Sequence, residues 1–446
     1  MAIITRYLGQ TGFGQYTTVI SFLQFFGIIA DFGLSLTTTQ MISGNAESTE
    51  KTMRNILTLR LISSFVFIGL APFIILFFPY PEIVKWGVFL TAFSFYFITI
   101  IQVLTGLFQR ELKMFEVTMA EIVGRLVLVI LTAIMAMTNA GISWLFIAMS
   151  IGSLINLIIV FAASKKYFRF KLAFDREVYR EIWQRSWPIA LSISFNLLYL
   201  KMDAIILSLT HPAADVGLYG AAYRVLDILT MLPAVYMGIM LPHITKAFKD
   251  KNHNDLKKLM QQAFDSLMIF AVPTVLGTFL IAEKIMVFVA GGAFALAGRI
   301  LLILILASAA IFITSLFGYA VVAINRQKTM MWGYLTTAVV TLIGYLIFIP
   351  LYGYWGAAWM TVFSEVMVMI WSFVVVYREI KFLPTIVNFI KYVLAAALMM
   401  IVLYYIKNLN IVLLLMVATV VYFGTLYLLG GIRGDFMKEV TATNYE

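Results

Sequence analysis

Long apolar runs separated by short polar breaks dominate the chain. Thirteen runs approach or exceed the roughly 20 residues a helix needs to cross a hydrocarbon core. They lie at 15–42, 56–79, 84–108, 114–137, 141–163, 187–209, 217–241, 264–289, 299–323, 330–350, 354–377, 390–407 and 411–430. None shows the short period-two alternation of a membrane barrel strand. The breaks carry turn chemistry: Pro79-Tyr80-Pro81, Asn139-Ala140-Gly141, His211-Pro212 and Gly353. The pattern predicts an all-α, polytopic membrane protein.

Composition agrees. Hydrophobic residues make up 62% of the 446 and charged residues 12%, with a mean hydropathy of +0.96. A soluble domain is about a quarter charged. There is no cysteine, which excludes disulfides and thiolate metal sites. His211, His243 and His253 have no ligand spacing. No phosphate-binding Gly-Lys-Ser/Thr loop, Gly-x-Ser-x-Gly elbow or His-Glu-x-x-His pair occurs. The chain is therefore expected to be no enzyme and to need no cofactor or metal.

The net charge of +10 changes meaning once it is mapped. Taking the connections alternately, one set holds 24 of the 32 Lys and Arg residues and the other 5. By the positive-inside rule the rich set is cytoplasmic. The excess is a topology signal, with no nucleic acid implied. It places the C-terminus in the cytoplasm. Thirteen crossings then put residue 1 outside, and residues 1–8 are too short to span. They read as the last turns of an absent first helix, giving fourteen spans in all. Two further segments are expected on the cytoplasmic surface: Asp175 to Trp187, which starts with a capping residue, and residues 243–262, with five lysines.

The chain also repeats. Phe13-Gly14-Gln15-Tyr16 returns as Val216-Gly217-Leu218-Tyr219, 203 positions later. A weaker echo links Gly141-Ile142-Ser143-Trp144 to Gly353-Tyr354-Trp355-Gly356. Six spans separate the copies, so they share one orientation, as in a parallel repeat. The expected division is an N-terminal lobe at 1–163, a cytoplasmic linker helix at 164–186, a C-terminal lobe at 187–377, an extra helix pair at 378–430 and a tail at 431–446.

Several of these stretches resemble a known family. Arg6-Tyr7-Leu8-Gly9-Gln10-Thr11-Gly12-Phe13-Gly14-Gln15-Tyr16 looks like the opening of polysaccharide exporters. These are the lipid-linked glycan flippases, O-antigen flippases among them, of the multidrug/oligosaccharidyl-lipid/polysaccharide superfamily. Asp31-Phe32-Gly33-Leu34, Met202-Asp203-Ala204-Ile205-Ile206-Leu207, Val216 to Arg224, and Tyr352 to Trp359 are similar to further family positions. The resemblance implies two six-helix lobes around a polar lumen, alternating access, and export of a lipid-linked oligosaccharide across the cytoplasmic membrane. It also implies H+ or Na+ coupling, contact with membrane lipids, and association with the glycan polymerase and glycosyltransferases of the same pathway. The rival reading is an ion-coupled multidrug exporter of the same superfamily. A membrane-embedded glycan polymerase or scaffold would need a large outside loop, and there is none.

Ionisable residues inside spans are costly and mark sites or pairs. Arg224, Lys201 and Arg125 are the candidates for a substrate phosphate, which an Arg fork suits best. Glu365, Asp203, Asp227, Asp31 and Glu121 are the candidate lumen or coupling acids. Glu121–Arg125 and Arg224–Asp227 have helix-neighbour spacing, so each is either a site or a self-neutralising pair. Lys201 and Asp203, two apart, point to nearly opposite sides; one would face the lumen and the other a neighbouring helix. Lys201 is either an anion contact or a structural salt bridge. Asp31 sits at a span end and is either a lumen acid or a group bonding helix to helix. Glu365 has no charged helix neighbour, as suits a coupling site or an inert protonated acid. The acids outnumber the bases here, which favours the rival drug exporter.

Overall fold

The computed structural model describes residues 1–431 except 32, 35–37, 39–40, 42–45 and 168–169. The side chains at 46–49, 185, 188–194 and 196–200 are also outside the described set. The chain is helical almost throughout, with no strand among the described residues. The helices are α1 (Ala2–Asp31), α2 (Ala46–Ile74), α3 (Glu82–Arg110), α4 (Met114–Thr138), α5 (Ser143–Ser164), α6 (Arg176–Thr210) and α7 (Ala213–Lys249). They continue with α8 (His253–Ala290), α9 (Ala297–Ala323), α10 (Gln327–Tyr352), α11 (Tyr354–Ile380), α12 (Val387–Ile406) and α13 (Ile411–Leu428). Among the described residues, twelve of these, all but α6, contain a stretch long and apolar enough to cross a bilayer. This is a multi-pass membrane protein.

The first expected span is displaced. Hydropathy puts it at 15–42, but α1 runs from Ala2 to Asp31 and breaks at Gly9. Gly9 has φ 63° and ψ −171°, a conformation that glycine alone adopts without strain. Residues 2–8 are a short helical segment, and the crossing helix starts at Gln10. Most of 32–42 lies outside the described residues. Apolar periodicity runs straight through such a break, so hydropathy alone does not reveal it.

Cap chemistry sets other ends as expected. Asp175 caps α6, its side chain accepting from the backbone N–H groups of Glu177 (3.0 Å) and Val178 (3.2 Å). Lys51 Nζ holds the same carboxylate at 2.5 Å. The hydrogen bond from Lys51, and after it the backbone N–H of Val178, hold the Asp175 pKa below its ordinary value. The strap before the cap is pinned to α2: Asp175 N donates to Asn55 Oδ1 (2.8 Å) and Ala173 N to Thr58 Oγ1 (3.1 Å). From this cap α6 runs unbroken to Thr210, so residues 176–187 are the first turns of a long helix. Likewise 243–262 is the end of α7, a short turn and the start of α8.

The chain packs as two compact units. One comprises Met1–Gly220 with Ala338–Ala357; the other comprises Ala221–Thr337 with Ala358–Glu446. In the first, α1 packs on α2, α3 and α6, and α5 packs on α3 and α4. Lipid is as apolar as leucine, so close packing and interhelical hydrogen bonds hold such helices together. Gly124 and Gly152 meet reciprocally: a Cβ on either would lie within 2.9 Å of the other's carbonyl oxygen. Ser94 and Ser153 bond at 2.6 Å, and Ser150 donates to the Leu90 carbonyl at 2.6 Å.

In the second unit, α8 is the post for the C-terminal pair. Gln261 exchanges two hydrogen bonds with the Thr385 backbone (2.8 and 3.2 Å), and Asn388 donates to Asp265 (2.8 Å). Further along, Tyr422 donates to the Ile269 carbonyl (2.9 Å) and Lys284 to those of Lys407 and Leu409.

Candidate functional site

The ionisable groups singled out above fall in both units, and their surroundings differ. In the first unit, Asp31 ends α1 and pairs with Arg60 of α2 at 2.7 Å. Arg60 is 0% exposed, and every arm of its guanidinium is used. Nε donates to the Thr99 carbonyl (3.1 Å), Nη1 to the Ala30 carbonyl (3.2 Å) and Nη2 to Gln102 Oε1 (2.7 Å). The node ties α1, α2 and α3 together, with the cation at the α1 C-terminus, where the helix dipole favours it. Asp31 thus bonds helix to helix through Arg60. The charge count assigns Arg60 to a connection between spans; in the structure it lies within α2, buried against α1 and α3. Its position, four residues inside the apolar run at 56–79, was the available signal. Removing it from the basic count leaves the charge asymmetry intact.

Asp203 of α6 is 1% exposed. Its Oδ2 accepts from Tyr219 OH of α7 at 2.5 Å and its Oδ1 from the Ala204 backbone N–H at 2.7 Å. Of the Lys201/Asp203 pair, Asp203 is the one turned into helix packing; Lys201 is half-buried. Tyr219 was missed because the sequence shows no link across the His211-Pro212 turn. Glu121 and Arg125 pair with each other, Nε and Nη2 both donating to Oε1 at 2.9 and 2.5 Å. Arg125 is 76% exposed at its side chain.

In the second unit, Arg224 and Asp227 of α7 stand 3.6 Å apart, with side chains 40% and 32% exposed. At that length the pair is loose. Pro233 follows within the same helix, a position where a backbone hydrogen bond is lost. Glu365 of α11 is 4% exposed. Among the described residues it has no hydrogen bond or ion pair. Tyr334 of α10 lies within electrostatic reach, on a stretch where Gly333 packs against Trp371 of α11. No group of three or more potential metal ligands occurs among the described residues.

The geometry sorts these groups into helix braces and groups with room to act; it does not name a substrate. The sequence profile described as "Polysaccharide biosynthesis protein" matches residues 1–248, more than half of the chain. The chain belongs to the polysaccharide biosynthesis protein family. No curated protein matches it. Among solved structures, this polysaccharide biosynthesis protein is similar to "Lipid II flippase MurJ, inward closed conformation". The TM-score is 0.79 at 17% identity, over 95% of this chain and 94% of that one. An inward-facing multidrug resistance MATE family transporter of the MOP superfamily gives a TM-score of 0.67 at 14% identity, over 85% and 95%. The MATE transporter VcmN of Vibrio cholerae, in its bent form, gives 0.54 at 14% identity, over 85% and 92%. The fold is thus the one shared by a flippase and drug transporters.

Proposed function

We propose that the protein moves a lipid-linked oligosaccharide across the cytoplasmic membrane by alternating access, driven by an H+ or Na+ gradient. The observation that carries this reading is the family match over residues 1–248, on a chain 95% of whose length matches the flippase fold. The lobes would be 1–163 and 187–377, with the basic loops and the C-terminus in the cytoplasm. Arg224 is the best-placed contact for the substrate's phosphate, because it is partly exposed and its ion pair is long. Lys201 and Arg125 are secondary contacts. Glu365 is the coupling acid, being buried and without a described cation to neutralise it. Asp227 and Glu121 tune their arginines, while Asp31 and Asp203 brace helices. The polymerase and glycosyltransferases of the same pathway would work beside it.

The test is made on the lipids of a host lacking the gene. An impermeant sugar-modifying reagent reports which leaflet holds the lipid-linked intermediates. Accumulation of a complete unit protected on the cytoplasmic side supports the reading. The shared MATE fold favours a second reading, export of lipophilic cations. Unchanged intermediates together with new sensitivity to cationic dyes would replace the first reading with the second.

A further inference from the structure

The repeat seen in the sequence closes on itself in space. Gly14 of α1 and Gly217 of α7 are the equivalent glycines of the two copies, and they touch. A Cβ on Gly14 would fall 1.6 Å from the carbonyl oxygen of Ala213 and 3.0 Å from Gly217 N. A Cβ on Gly217 would fall 2.0 Å from the carbonyl oxygen of Gln10 and 3.0 Å from Gly14 N. Gln10 and Ala213 are themselves equivalent, each four residues before its glycine. The next contact obeys the same rule: a Cβ on Gly220 would lie 2.7 Å from Thr17, its own counterpart. Exchanging the helices therefore maps the contact onto itself. A local two-fold axis passes between Gly14 and Gly217. The helix starts match as well, at the Gly9 break and at Pro212.

This crossing lies at the end of the first unit away from the basic loops. The start of α1 sits there with the α2–α3, α4–α5 and α6–α7 connections, as further contacts show. Tyr7 donates to the Ala140 carbonyl (2.8 Å), Tyr80 bonds Ser208 (2.7 Å), and the His211 ring packs against Gly353, where a Cβ would come within 3.1 Å of it. The Gly124–Gly152 contact is a useful contrast. It is also backbone to backbone, with Cβ positions 2.8 and 2.9 Å from the facing carbonyl oxygens against 1.6 and 2.0 Å here, but it joins consecutive helices linked by a short turn, and its residues are not repeat equivalents.

We propose that the Gly14–Gly217 crossing is the gate at that end: the contact that parts when the transport path opens there. The proposal rests on the transport reading above. Backbone meets backbone at its centre, so it can separate and re-form without disentangling long side chains. Being symmetric between the copies, it releases both repeat-related helices together. The same closeness makes it intolerant of any side chain.

The absence of cysteine makes the test clean. Ser21 lies seven residues after Gly14, on the same helix face, and is buried. In whole cells, a Ser21→Cys reporter should react slowly with an impermeant maleimide. Adding Gly14→Leu or Gly217→Leu should speed labelling at least tenfold, and Gly217→Ala, the variant least disturbing to folding, several-fold. Gly124→Leu should leave the rate unchanged. Independently, the Thr17→Cys/Gly220→Cys pair, with Cβ positions 3.2 Å apart, is near disulfide range; its oxidation should stop glycan movement and reduction restore it. Unchanged labelling of the Ser21→Cys reporter in the glycine variants, or full transport by the crosslinked protein, would overturn the gate. Gated labelling in a protein that moves no glycan would keep the gate and refute the substrate reading.

Discussion

Two charged groups in each unit, Arg60 and Asp203 in the first and Arg224 and Glu365 in the second, are handled in opposite ways. In the first unit, Arg60 is fully buried and directs its donors to two backbone carbonyls, a glutamine and Asp31. Asp203 is likewise buried against Tyr219. In the second unit, Arg224 holds Asp227 only at 3.6 Å, and Glu365 is buried without a hydrogen bond or ion pair among the described residues. A satisfied buried charge rigidifies the helices around it, while a loosely held or unneutralised one can still gain free energy from a ligand or an ion. Charge inside a span thus has two meanings, and satisfaction of its partners separates them.

The contrast can be broken in graded steps. Arg60→Ala should have the largest effect, stranding Asp31 and several carbonyls. Loss of one partner of a buried pair costs about 3–5 kcal/mol, read as a large fall in melting temperature in detergent. Arg224→Ala should leave the melting temperature nearly unchanged, because an exposed pair is worth at most about 1 kcal/mol. It should cut glycan movement about ten- to hundredfold, since a charge-assisted bond contributes about 1.5–3 kcal/mol. If Arg224→Ala unfolds the protein, or Arg60→Ala alters only transport, the division of roles between the units is wrong.

Tyr219→Phe comes next. It removes the donor to Asp203 while keeping the ring, and should destabilise by about 1–3 kcal/mol. The smallest effect belongs to Asp175→Asn, which keeps a capping side chain but drops the charge beside Lys51. Because the folded Asp175 pKa is depressed, its charge stabilises above the unfolded carboxylate pKa, about 3.9. That contribution is lost as pH falls through the folded value. The mutant and the parent should differ slightly near neutrality and converge in acid, which paired melts at pH 7 and pH 3 would show.

Much of this architecture was legible because a bilayer enforces long apolar runs. The 203-residue repeat carried more than expected, since its matched glycines turned out to touch. What escaped was local geometry and distant pairing. Gly9 breaks α1 within a smooth apolar stretch, and periodicity does not register a single residue with positive φ. Arg60 reads as a loop cation because it lies near the start of a run; only its partners on α1 and α3 show it to be buried. The Asp203–Tyr219 bond crosses a helix turn, and helical spacing reports which face a residue occupies, not what meets it there. Glu121–Arg125 and Arg224–Asp227 were legible because three- and four-residue spacing is itself contact.

The most direct test of the central claim uses purified protein in liposomes holding a lipid-linked oligosaccharide, with the leaflet read by an impermeant reagent. Under an imposed H+ or Na+ gradient the parent should move the glycan lipid. Glu365→Gln should remain folded and lose the dependence on the gradient. No movement by the parent under either gradient, or an undiminished gradient response in Glu365→Gln, would contradict the account.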